Sequence, residues 1–102
     1  MKVRTEAIQF KADGKLLNFI EEKLAKLDRF FDRIIQADVI LRLENSGQVK
    51  DKVTEIRLQL PGETLVASSA HKSFEGSASE VIDVLARQLK RHKEKITQRA
   101  RR

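Results

Sequence analysis

Five cations, Arg87, Lys90, Arg91, Lys93 and Lys95, stand within nine residues of one another. Clustered guanidinium and ammonium groups attract closely spaced anions, and the phosphates of a nucleic acid are the commonest such array. From Arg87 to Arg102 there are eight Lys/Arg and one acid, Glu94, a net of +7. The first 86 residues carry thirteen basic and fourteen acidic side chains, a net of −1. A nearly neutral body with a cationic end points to a polyanionic partner. The bland alternative is a solubilising tail.

A second set of cations lies nearer the N-terminus. At about 100° per residue along a helix, Lys15, Lys26, Arg29 and Arg33 share one flank. Glu21, Asp28 and Asp32 fall on the opposite flank, and Glu22 intrudes on the basic side. If the two cationic segments are neighbouring helices, their charges merge into one surface. Side chains on rigid helices can meet several phosphates without the ordering entropy that a random tail gives up. The competing picture is a solvated face carrying ordinary i,i+4 pairs such as Glu22–Lys26.

Other chemistry is poorly represented. Neither histidine, His71 or His92, has the companions of a metal site, and the chain has no Cys. His71 reads as a strand-end hydrogen bonder and His92 as a half-buried helix residue. Ser68-Ser69 lacks a nucleophile elbow and an evident base. Gly62 and Gly76 do not make a phosphate-cradling loop. No enzyme, metal or cofactor is expected. Five Phe without Trp or Tyr argue against recognition by base stacking.

These side chains need elements to hold them. Residues 3–10 read as a short strand whose phase slips between Ala7 and Ile8, as a bulge would make it do. Asp13 is the expected N-cap of a helix with an apolar stripe of Leu16, Ile20, Leu24, Leu27 and Phe31, flanked by Leu17 and Phe30. Ile35, Ala37, Val39, Leu41 and Leu43 alternate with Gln36, Asp38, Ile40, Arg42 and Glu44, so they predict a strand with one buried face. Asn45-Ser46-Gly47 is turn chemistry. A third strand spans about 53–60, with Thr54, Ile56, Leu58 and Leu60 on one face. Pro61-Gly62 forms a tight turn, and a fourth strand spans about 64–70. Short connections make the last three strands an antiparallel meander. A long helix then starts at Ser73 or Phe74. Its inner stripe is Phe74, Ala78, Val81, Ile82, Leu85, Leu89, His92 and Ile96.

The fold class is therefore α+β, in the order β-α-β-β-β-α. Two helices pack side by side on one face of a four-stranded sheet, as in a double-stranded-RNA-binding domain. Glu44, Glu55, Arg57 and Gln59 suit an exposed second face. At 102 residues the chain fits a single domain, 1–102, with residues 97–102 a candidate frayed basic tail. No apolar run approaches the roughly 20 residues needed to span a bilayer. The N-terminus lacks the apolar stretch of a signal peptide, so a cytoplasmic setting is expected.

The chain resembles the ribosome hibernation-promoting factors, the ribosome-associated inhibitor or sigma-54 modulation family. Glu22-Lys23-Leu24-Ala25-Lys26-Leu27-Asp28-Arg29-Phe30-Phe31 is similar to that family's Lys/Arg-Leu-Ala-Lys-Leu-Glu/Asp-Arg/Lys-aromatic run. Leu60-Pro61-Gly62-Glu63-Thr64-Leu65-Val66-Ala67-Ser68 resembles its Pro-Gly turn and following strand. Leu85-Ala86-Arg87-Gln88-Leu89-Lys90-Arg91-His92-Lys93-Glu94-Lys95 resembles its Leu-Glu-Arg-Gln-Leu-Lys-Lys-His-Lys pattern. The likeness covers about residues 3–96. The chain departs from it where the second helix opens with Ser73-Phe74-Glu75 instead of Asp-Met-Tyr, and where Val84 replaces a Lys.

The resemblance implies a protein seated on the small ribosomal subunit, in the channel used by messenger RNA and transfer RNA anticodon stems. There it would block translation and protect idle ribosomes under stress or in stationary phase. Lys23, Lys26 and Arg29 match the family's basic positions on the first helix. Arg87, Lys90, Arg91 and Lys93 match those on the second. With Arg33 and Lys95, which the charge pattern adds, these are the expected ribosomal RNA contacts, made to the backbone with little sequence reading. The chain resembles the short form of the family, without the C-terminal dimerisation domain of the long form. Two rivals stand beside this reading. One is a generic double-stranded RNA module, which usually carries Lys at the start of its last helix. The other is a protein-binding adaptor using the exposed sheet face.

Overall fold

The computed structural model describes residues 1–46 and 49–100 of the chain. Its elements run β1 (Lys2–Ala7), α1 (Gly14–Phe30), β2 (Gln36–Ser46), β3 (Val49–Leu60), β4 (Glu63–His71) and α2 (Phe74–Ala100). The four strands lie side by side in the order β1-β2-β3-β4. β1 runs parallel to β2, and the other neighbours are antiparallel. Parallel neighbours require a crossover of a dozen or more residues, and residues 8–35 with α1 supply it.

Pleating sorts the side chains. Ala37, Val39 and Leu41 on β2 stand opposite Leu58, Ile56 and Thr54 on β3, all buried. Leu65 and Ala67 on β4 continue the same face. Leu16, Ile20, Leu24 and Leu27 of α1, with Phe31 just beyond it, and Phe74, Val81, Leu85 and Leu89 of α2, cover that face in one cluster. Each such side chain, fully buried, contributes roughly 1.5–3 kcal/mol. The helices run parallel, and aromatic pairs mark both ends of their contact. Phe10, ahead of α1, stacks on Phe74 at the start of α2, with centroids 5.0 Å apart. At the far end Phe31 meets His92 edge-on at 5.6 Å.

The termini of the elements have local causes. Asp13 caps α1 by accepting a hydrogen bond from the Leu16 amide at 2.8 Å. The turn between β3 and β4 places Gly62 at φ 77°. Proline cannot take a positive φ, so Pro61 occupies the first central position and Gly62 the one that needs left-handed backbone. Other features differ from the sequence reading. The first strand stops at Ala7, and Gln9 adopts φ 64°. The slip in hydrophobic phase is therefore the end of the strand, where the chain swings toward α1, and not a bulge within it. Ile35 is 56 % exposed, while Ile34 is buried and begins the apolar path into β2. Leu43 is 45 % exposed, because β2 extends past the area the helices cover. The third strand begins at Val49, ahead of the expected 53. In the expected turn Asn45-Ser46-Gly47, Gly47 lies outside the described residues, as do 101 and 102 of the expected tail.

The outer sheet face is polar. Arg42 lies 3.1 Å from Glu44 and 3.8 Å from Glu55, which in turn lies 3.3 Å from Arg57. Charges there are matched within the face. Among the described residues, no helix is long and apolar enough to cross a membrane.

Candidate nucleic-acid interface

Two contacts fix the phase of the helices. The Lys93 ammonium of α2 sits 4.8 Å from the centroid of the Phe30 ring and donates to the Phe30 carbonyl at 3.4 Å. The last carbonyls of a helix lack intrahelical donors and carry partial negative charge. Lys93 therefore closes the end of α1 from the neighbouring helix. On the other flank of α1, Asp28 lies 3.5 Å from the Met1 nitrogen, beside β1. The basic flank of α1 thus faces α2, and the acidic flank faces the sheet edge.

Helical geometry then places the remaining cations. Lys23 and Lys26 precede Phe30 by seven and four residues, which puts them within about 20–40° of it at 100° per residue. Lys23 also lies 5.3 Å from the Phe19 ring centroid. Lys90, three residues before Lys93, is about 60° from it by the same rule. Arg29 and Arg33 share a cleft with Phe30, Lys93, Ile96 and Thr97 at the C-terminal ends of the helices. Arg29, Arg33 and Lys93 therefore line one cleft, and Lys23, Lys26 and Lys90 fall on the sides of α1 and α2 that face each other. Arg87 points outward from the helix pair. Arg91 and Lys95, two residues either side of Lys93, are about 200° around the helix from it. They project on the β4 flank, where His92 pairs with Glu63 of β4 at 2.7 Å. Of the nine expected residues, six thus lie on the side where the two helices face each other, and Arg87, Arg91 and Lys95 lie further round α2.

Sequence spacing allowed a Glu22–Lys26 pair, but no such pair forms. Among the described residues, none of the nine cations has a carboxylate oxygen within 4.0 Å. Ion pairing is instead concentrated on the outer sheet face and at the two histidines, with His71 against Glu80 and His92 against Glu63. Unmatched cations on rigid helices, close enough to add their fields, create a positive potential that concentrates anions.

Sequence reasoning placed Phe30 only as a flank of the apolar stripe. The structure sets it at the rim of the groove, 43 % exposed, in contact with a cation. The adjacent aromatics Phe30-Phe31 were the available signal, since one helix position cannot send both rings into the core. Among the described residues, no three His, Cys, Asp or Glu are grouped to hold a metal.

Comparisons with known proteins agree with this architecture. The family model described as sigma 54 modulation protein / S30EA ribosomal protein matches residues 3–97. The ribosome hibernation promoting factor of Pseudomonas putida is 35% identical over 95 residues, spanning 93% of this chain and 89% of that protein. The protein of the same name from Escherichia coli is 36% identical over 83 residues, 81% of this chain and 83% of that one. Among solved structures, the N-terminal domain of Thermus thermophilus Protein Y superposes with a TM-score of 0.78 at 26% identity, covering 90% of this chain and 99% of that one. A ribosomal subunit interface protein from Coxiella burnetii shares the fold, with a TM-score of 0.81 at 19% identity over 92% of this chain and 99% of that one. With a family match across almost its whole length, and curated relatives above one-third identity over most of it, the chain belongs to the sigma 54 modulation protein / S30EA ribosomal protein family.

Proposed function

We propose that this protein is a ribosome hibernation factor. It docks the groove between α1 and α2 on ribosomal RNA of the small subunit, in the messenger and transfer RNA channel. Occupancy inhibits translation and protects idle ribosomes under stress or in stationary phase. It acts in the cytoplasm as one ribosome-binding domain, by occupancy and without catalysis. The observation that carries this reading is the placement of Lys23, Lys26, Lys90 and Lys93 on the facing sides of two helices joined by the Lys93–Phe30 contact, with no carboxylate oxygen within 4.0 Å among the described residues. Cations held this way supply affinity for RNA backbone with little dependence on sequence. The hibernation factors of P. putida and E. coli, related over most of their length, support the choice of the ribosome as the RNA.

The start of α2 argues against a generic double-stranded RNA module. Its first turn carries Glu75, where such a module would place lysines. The test is sedimentation of the purified protein with separated ribosomal subunits at low and physiological salt. Co-migration with the small subunit, diminished by Lys26→Glu, is the expected result. Binding to a plain RNA duplex without co-migration would overturn the ribosomal reading.

A further inference from the structure

The exposed Phe30 sits in a cleft whose chemistry is more specific than a phosphate track. Arg29, Arg33 and Lys93 bring three cations to the cleft, and Ile96 adds an apolar wall. With Lys93 already resting on its ring, Phe30 is still 43 % exposed, whereas the neighbouring Phe31 is buried. A bare phosphate would use the cations and ignore the ring. An apolar peptide would use the ring and leave the cations uncompensated. A ligand that uses both is anionic with a flat apolar face, which describes a nucleotide whose base is not stacked in a helix.

The cleft also contains one acid, Asp32. A carboxylate among cations repels phosphate, so its presence is useful only toward a ligand edge that donates hydrogen bonds. An ionised carboxylate only accepts, through two oxygens. The Watson–Crick edge of guanine offers two adjacent N–H donors, and that of uracil offers one. We propose that the cleft at the C-terminal ends of α1 and α2 binds one unpaired nucleotide of the RNA. The base stacks on Phe30, the phosphates lie against Arg29 and Arg33, and Asp32 favours guanine over uracil. This deepens the ribosomal RNA reading above and rests on it for the source of the nucleotide. It also reverses the sequence-based expectation that base stacking plays no part.

Fluorescence anisotropy with four RNA hairpins of equal length tests the cleft. One is fully paired, and the others carry a single bulged guanosine, a bulged uridine or a bulged abasic residue. The wild-type protein should bind the guanosine bulge roughly tenfold tighter than the paired or abasic hairpin, the size of one base–aromatic stack. Phe30→Leu should abolish that preference, so that the guanosine, paired and abasic hairpins bind alike. Phe30→Tyr, which keeps the ring, should retain it, and Asp32→Asn should narrow the gap between guanosine and uridine. Equal binding of all four hairpins by the wild type overturns the proposal, as does a preference that survives Phe30→Leu. A bulge preference without small-subunit co-migration would sink the ribosomal reading and leave the nucleotide site standing. Co-migration without a bulge preference would do the reverse.

Discussion

The hydroxyls of Thr54 in β3 and Ser77 in α2 lie 2.7 Å apart, and both side chains are fully buried. Ser77 also donates to the Phe74 carbonyl at 3.3 Å, so Thr54 supplies the proton between the two hydroxyls. This bond ties the second helix to the centre of the sheet and helps fix the helix that carries Lys90 and Lys93.

Ser77→Ala should therefore cost about 1–3 kcal/mol, because it strands the Thr54 hydroxyl in an apolar setting. Pairing it with Thr54→Val removes both polar groups, and the double variant should lose less than the sum of the single losses. Urea denaturation of the four proteins measures the coupling. Strict additivity would mean that the two hydroxyls do not depend on each other.

The split between groove and outer flank gives a sharper test than charge reversal alone. Lys90→Glu, on the groove, should weaken small-subunit binding several-fold more than Arg91→Glu, its neighbour on the outer flank. Thermal midpoints of both should stay close to wild type, since exposed substitutions usually change stability by less than about 0.5 kcal/mol. Equal losses in a sedimentation titration would show that net charge, and not the groove, governs binding.

Salt should act strongly on the complex. If roughly five phosphates are neutralised, the slope of log affinity against log salt should be near −4. Filter binding to small subunits across a salt series measures it. A flat response would exclude the RNA backbone as the main contact.

Asp13→Ala should remove the cap of α1 at a cost of about 1 kcal/mol, or some 4–8 °C in melting temperature for a domain near this size. Circular dichroism on heating reports it. An unchanged midpoint would place the start of α1 under other control.

Much of the architecture was legible because period is a strong signal. The stripe from Leu16 to Phe31 and the one from Phe74 to Leu89 are buried as their spacing demands. Asp13 and the Pro61-Gly62 turn act through local chemistry, which a sequence displays directly. Errors lie where an element ends. Alternation gave Ile35 to the core, but only the path of the chain out of α1 decides that Ile34 goes in and Ile35 stays out. The arrangement of the candidate site was half legible for a related reason. Each helix announces its own cations, but the rotation of one against the other is a tertiary property. Nothing in the local pattern of Arg91, Lys93 and Lys95 says that only the middle one reaches across to Phe30.

The length of α2 has a further consequence. Its 27 residues outrun the 17 of α1, by about 15 Å at 1.5 Å per residue. Among residues 90–97, only His92 and Ile96 keep partial cover from the rest of the molecule. Arg87, Arg91 and Lys95 follow one another at four-residue intervals along α2, so each turn repels the next by a few tenths of a kcal/mol. Added ions weaken that repulsion. The same ions compete with the protein for phosphate. Salt therefore tightens the free protein while it loosens the bound one, and a bound polyanion takes over the screening that dissolved ions provide in its absence.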